Sequence, residues 1–339
     1  VITRATSGSD DAAATVVPAL DVKDLRVRFQ SRSGPVHAVN GVELQVGRAE
    51  TVGIVGESGC GKSVTGLALM RLLPASAAVS GSALLEDVDL LELPERAMRR
   101  LRGERVAMVF QDPLTSLNPV LTIREQLVEM LRGHRDLSRR DATERARELL
   151  AAVGLPKPDQ QLTAHPHRLS GGMQQRVMIA IALALSPPLL IADEPTTALD
   201  VTTQAQILEQ LERLVQDSHT AVLLITHNLG ILARAAQRVV VMYAGFVVEV
   251  APTADLFAAP LHPYTVGLLQ SIVRLDDLEA PLRPITGSLP DPHELPRGCP
   301  FAPRCLRRLE ICEQENPPLA DVFGRPPDHL TACHNPHPR

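Results

Sequence analysis

The stretch GESGCGKS, Gly56 to Ser63, decides how the rest of this sequence is read. It fits the pattern G-x-x-x-x-G-K-[ST]. In front of it runs TVGIVG, a buried-strand pattern, and behind it SVTGLALMRLLP, apolar at helical spacing up to Pro74. A strand, a glycine loop and a helix in that order form a phosphate cradle: the glycines let backbone N–H groups turn inward on phosphate oxygens. Lys62 reaches the β and γ phosphates and the Ser63 hydroxyl ligates Mg²⁺. A chance glycine turn does not require this context. The stretch points to a nucleoside triphosphate contacted by Gly56, Glu57, Ser58, Gly59, Cys60, Gly61, Lys62, Ser63 and Val64. Cys60 takes a variable position of the loop, where a helix N-terminus favours thiolate; the blander reading is a small residue that fits.

Strands and helices keep alternating along the chain. Leu25, Val27 and Phe29 alternate, as do Val42, Leu44 and Val46; VAMVFQDP, LLIADEP and AVLLITH read as strands, and Ile123 to Leu150 as helices rich in Glu and Arg. This order implies a mostly parallel sheet covered on both faces. At the end of LLIADEP, Asp193 can hold a metal and Glu194 can polarise a water. Alone, such a pair is more often a helix cap; the upstream glycine loop reverses that. In LSGGMQQR, Leu169 to Arg176, the residues Ser170, Gly171, Gly172 and Gln174 open another helical run. The bland reading is capping by Ser170, the functional one a second anion cradle at a helix start.

Composition narrows the class. With 339 residues, 45% of them hydrophobic, the chain can build a full core. A formal charge of −5 gives no net basicity to hold a polyanion, so nucleic acid is not the expected partner. The longest apolar run, Val177 to Ala192, is broken by Pro187 and Pro188, short of the ~20 residues of a bilayer span. Val1 to Leu20 carries neither an apolar signal core nor a basic start, so the expected compartment is the cytoplasm. In a reducing compartment clustered cysteines more often mean metal than disulfide.

Six stretches together resemble the ATP-binding subunits of ABC transporters: GESGCGKS is similar to that family's Walker A, Gln111 in VFQDP to its Q-loop, LSGGMQQR to its signature, LLIADE to its Walker B, Ala198 to Asp200 to its D-loop, and His227 in LLITHN to its switch histidine. The resemblance implies an α/β P-loop NTPase fold, a RecA-like core with antiparallel β and helical subdomains. It implies two such subunits paired head to tail, each ATP lying between the Walker A of one and the signature of the other. Glu194 is then the general base, His227 holds the γ-phosphate, Gln111 joins Mg²⁺ and water to the membrane partner beside Ser63 and Asp193, and Asp200 communicates across the dimer. Phe29 stacks on adenine or is a core aromatic.

Finer resemblance, in VFQDPLTSLNPVLTI, EPTTALDVT, LHPYTVGLLQSI and GCPFAPRC, is to the ATPases of oligopeptide, dipeptide and nickel importers. It implies two membrane-spanning permease subunits, a second homologous ATPase, an extracytoplasmic binding protein, and a peripheral place on the cytoplasmic face of the membrane. Val64 to Leu169 is too short for the long coiled coil of DNA-repair ATPases of the same superfamily and shows no sustained heptads, and the chain carries one ATPase unit where translation factors of the superfamily carry two. Intact Lys62, Asp193, Glu194 and His227 speak against an interaction protein with a vestigial P-loop.

The expected organisation is a disordered leader (1–19), the ATP-binding domain (20–260, helical part about 112–168) and a proline- and cysteine-rich extension (261–339). Four of the five cysteines, Cys299, Cys305, Cys312 and Cys333, fall in that extension. Four thiols close either a Zn²⁺ site or a cubane cluster. Zinc favours short C-x₂₋₄-C pairs, and no such pair is present, so the spacing points to [4Fe–4S], as does the resemblance. His334 is a weaker ligand candidate.

Overall fold

The structure, a computed structural model, describes residues 17–196, 200–271, 284–322, 324 and 326–338. The expected leader lies almost wholly outside them, as do Ala198 and Leu199 of the D-loop stretch. The strands are β1 (Leu20–Ser31), β2 (Gly34–Val46), β3 (Thr51–Val55), β4 (Ala77–Leu85), β5 (Val88–Asp89), β6 (Val106–Val109), β7 (Leu189–Asp193), β8 (Ala221–Ile225), β9 (Arg238–Tyr243), β10 (Phe246–Pro252), β11 (Ala320–Asp321) and β12 (Leu330–Thr331). They form an antiparallel sheet, β2-β1-β4-β5, and a larger sheet in the order β11-β12-β10-β9-β3-β8-β7-β6. From β9 to β6 the larger sheet is parallel.

The central strands are apolar without alternation because both faces are buried. Along β7 and β8, Leu189, Ile191, Leu223 and Ile225 join the core beneath the antiparallel sheet. Their neighbours Leu190, Ala192, Val222 and Leu224 join the core under the helices. Each strand thus glues two layers, and the loops at its carboxyl end are free for chemistry.

The helical part is built by local rules. Thr122 and Glu125 form a reciprocal capping box at the start of the helix Ile123–His134, whose Ile123, Leu127, Val128 and Leu131 are buried. Ser138 caps the next helix, Arg139–Ala152, and Ala142, Ala146, Leu149 and Leu150 form its inner face. No described helix is long and apolar enough to cross a membrane; the apolar run from Val177 divides into the end of the helix Gly171–Leu183 and strand β7.

The sequence pattern did not announce the β9–β10 hairpin, which turns on Ala244 and Gly245, both at positive φ (48° and 82°). That two-residue turn matches strand twist, and an apolar run on each side of Ala-Gly was its available signal. Nor did it announce that the extension joins the central sheet: β12 pairs with β10 through Glu249↔Thr331 and Val250↔Leu330. Glu249 is fully buried there. Its carboxylate accepts the N–H groups of Leu261 (2.7 Å) and His262 (2.8 Å) and lies 2.7 Å from His329 Nε2. A buried carboxylate persists only with such partners. The same burial pushes the His262 imidazole down to about 4.

Candidate active site

Strand β3 delivers the chain into the glycine loop, and the helix Lys62–Leu69 leaves it. Gly61, the helix N-cap, sits at φ 103°, and a Cβ there would lie 2.4 Å from the Ala38 carbonyl oxygen, so only glycine fits. Lys62 is buried and donates from Nζ to the carbonyls of Gly56 (2.7 Å) and Glu57 (3.0 Å). Its cation thus stands inside the loop, held by two backbone carbonyls. Ser58 and Gly59 form the exposed lip; Val64 packs half-buried behind the loop. Cys60 is fully buried, and burial pushes its thiol up from the ordinary value, so it fits as a small core residue and not as a thiolate.

Ser63 Oγ donates to Asp193 Oδ1 at 3.0 Å, across 130 residues of sequence. Burial raises the Asp193 carboxyl above its ordinary value, and the Ser63 hydrogen bond opposes this. A hydroxyl and a carboxylate side by side in a partly buried corner are hard oxygen donors of the kind Mg²⁺ takes.

Glu194 follows at φ 45°, a left-handed conformation that costs a non-glycine residue about 1–2 kcal/mol. Its N–H donates to Ile225 O (2.8 Å), which ties it to the end of β8. The tie turns the carboxylate toward two side chains: Gln111 Nε2 donates to Oε2 at 3.1 Å, and His227 Nδ1 lies 2.9 Å from Oε1. The three residues expected from separate strand ends therefore meet in one hydrogen-bonded group.

The remaining expected contacts are more scattered. Ser170 caps the helix Gly171–Leu183 by accepting from Met173 N, and Ser170 and Gly171 are exposed. Gln174 turns inward: it is buried, and its amide donates to the carbonyls of Pro166 (2.8 Å) and Leu169 (3.3 Å), so it braces the turn beneath the exposed N–H groups. Asp200 caps the helix Val201–Ser218 through Thr203 N (2.9 Å), and the Thr203 hydrogen bonds hold its carboxyl below the ordinary value. Phe29 lies half-buried on β1 against the core beneath the antiparallel sheet.

In the extension, Cys299 and Cys312 are buried, and Cys299 N donates to Cys312 O at 2.8 Å. Burial pushes up the thiols of Cys299 and Cys305, and that of Cys333 to about 11, with the other three thiols adding to it. Among the described residues, however, no three His, Cys, Asp or Glu side chains stand close enough to hold a metal ion. His334 instead makes a hydrogen bond with Glu315 O (3.2 Å).

Two features carried no expectation from the sequence. Glu57 is ion-paired with Arg304, and its N–H donates to the Tyr264 hydroxyl. Both partners lie more than two hundred residues away and match no nucleotide motif.

A P-loop on a parallel sheet, with a hydroxyl–carboxylate pair and a glutamate held between Gln and His, defines an ATPase of the ATP-binding cassette class. The ABC transporter family model matches residues 39–197, and that of the oligopeptide/dipeptide transporter C-terminal region matches 248–312. The chain is 51% identical over 302 residues to the oligopeptide transport ATP-binding protein AppD of Bacillus subtilis (strain 168), covering 88% of this chain and 92% of that one. It is 47% identical over 317 residues to the oligopeptide transport ATP-binding protein OppD of Salmonella typhimurium (strain LT2), covering 94% and 93%. The dimeric ATP-binding cassette MJ0796, in a post-hydrolysis state with ADP and Pi, is similar at a TM-score of 0.62 and 27% identity, over 69% of this chain and 98% of that one. The chain belongs to the ATP-binding proteins of ABC transporters, in their oligopeptide/dipeptide branch.

Proposed function

We propose that this chain hydrolyses ATP on the cytoplasmic face of a membrane to power the import of peptides. Its companions are two permease subunits, a second ATPase subunit and an extracytoplasmic binding protein. The observation that carries the reading is the Glu194 carboxylate, held by Gln111 and His227 next to the Ser63–Asp193 pair. Residues 56–63 cradle the triphosphate, with Lys62 on its β and γ oxygens. Ser63, Asp193 and Gln111 would hold Mg²⁺, which would supply positive charge against the phosphate oxygens. Glu194 accepts the proton of the attacking water, and His227, released from Glu194 Oε1, donates to the γ-phosphate. Ser170, Gly171 and Gly172 of the second subunit close the site with N–H groups, Asp200 acts across the dimer, and Phe29 stacks on adenine.

The functional division is an ATP-binding domain, 20–260, and an extension, 261–339. Isolated, the subunit should hydrolyse ATP slowly; with its permeases and a loaded binding protein the rate should rise, since the two cradles must close on each other. The cytoplasmic helix of the permease should crosslink to residues 112–168. Unstimulated turnover in the assembled transporter, or crosslinks confined to the extension, would overturn this reading.

For the extension we infer that Cys299, Cys305, Cys312 and Cys333 ligate a [4Fe–4S] cluster. The support is the number of thiols, their spacing and the resemblance to importer ATPases with cysteine-rich tails. Ligation supplies the folding free energy that a proline-rich segment cannot draw from core burial alone. Anaerobically purified protein should be brown and hold about four iron and four sulfide per chain. Colourless protein with zinc would replace the cluster by a four-thiol zinc site.

A further inference from the structure

Glu57, the second residue of the phosphate-binding loop, is gripped at three points. Its carbonyl accepts Lys62 Nζ at 3.0 Å, its N–H donates to the Tyr264 hydroxyl at 2.8 Å, and its carboxylate takes a two-pronged ion pair from Arg304 at 2.9 and 3.1 Å. Tyr264 belongs to the helix Pro263–Gln270, and Arg304 closes a 3₁₀ turn, Ala302–Arg304, between Cys299 and Cys305. Two of the three grips therefore come from beyond the catalytic motifs.

Arg304 is built in, not draped over the surface. Its side chain is only 6% exposed. All five of its N–H donors are used: Nε on Thr286 O, Nη1 on Glu57 and the Tyr243 hydroxyl, Nη2 on Glu57 and Ile285 O. The guanidinium also lies over the rings of Tyr243 (5.8 Å) and Phe301 (6.0 Å). A guanidinium satisfied at every donor has one orientation, and that orientation fixes the Glu57 carboxylate.

We propose that Arg304 is a positioning residue for the ATP site: by neutralising and holding Glu57 it sets the shape and charge of the phosphate-binding loop, so that nucleotide affinity depends on the cysteine-bearing segment being docked. The inference rests on the ATP-site reading above. A carboxylate within an anion cradle is unfavourable for binding unless it is paired and held aside. Freed from Arg304, it repels the triphosphate and competes for Lys62. The segment that carries the cysteines thereby becomes part of the nucleotide site without touching nucleotide.

The test is calorimetric titration of MgATP into the full-length chain and three variants. Arg304→Ala should weaken binding about tenfold, which is about 1.4 kcal/mol. Arg304→Lys keeps the charge but not the fork, and should fall between Arg304→Ala and wild type. In the double variant Glu57→Gln, Arg304→Ala the unpaired charge is gone, and affinity should recover most of the loss. A loss of packing in the extension would not be rescued by a change in the P-loop. Unchanged affinity in Arg304→Ala, or a loss that Glu57→Gln does not relieve, overturns the proposal. Failure of the unaltered chain to bind MgATP would instead overturn the ATP-site reading on which it stands.

Discussion

Glu194→Gln should bind ATP at near wild-type affinity yet turn it over about 100-fold more slowly or worse, the scale of one general-base contribution. The amide fills the same space and can still meet Gln111 and His227, but it cannot take a proton from water. The phosphate cradle of residues 56–63 has its own supports and is left intact. Single-turnover assays on the assembled transporter, beside an equilibrium measurement of ATP binding, separate the two effects. Hydrolysis near the wild-type rate would remove Glu194 as the base.

Lys62→Ala should act one step earlier, weakening ATP binding itself roughly 10- to 100-fold, the value of one charge-assisted contact to phosphate. Lys62 Nζ is already placed by the carbonyls of Gly56 and Glu57. Its cation needs no large rearrangement to meet phosphate, and no neighbouring lysine stands in for it, since the only others in the chain are Lys23 and Lys157. Equilibrium titration of ATP into the purified variant measures the loss. Unaltered affinity would mean that the triphosphate does not occupy this loop.

Lys62 and Glu194 depend on different ranges of the chain. The expectation for Lys62 rests on eight consecutive residues, because a strand, a glycine turn and a helix start are local structures that neighbouring residues specify. The grouping around Glu194 was expected by resemblance only. Its geometry comes from β6, β7 and β8 lying side by side, which brings Gln111, Glu194 and His227 within hydrogen-bonding distance although 83 and 33 residues separate them. Cys60 shows the opposite case. A helix N-terminus favours thiolate, but packing beneath the loop buries the thiol and desolvation pushes it up, in keeping with the blander reading of a small residue that fits.

The extension marks the limit of local reading. Its prolines and sparse periodicity suggested an appendage held by its cysteines. In the fold it supplies β12 to the central sheet, a buried His329 to Glu249, and Arg304 to the P-loop. Two-residue strands have no sequence pattern, and an ion pair across 247 residues leaves no trace in spacing. By itself the sequence determined the alternation of strands and helices, the glycine loop between a strand and a helix, and the supply of carboxylate, imidazole and hydroxyl side chains at strand ends, because each depends on residues within about a helical turn or a strand length of one another. Only the tertiary structure decided which carboxylate faces which partner and that the far end of the chain braces the loop near its beginning. Those contacts arise from the packing of layers, which no single stretch of the chain specifies.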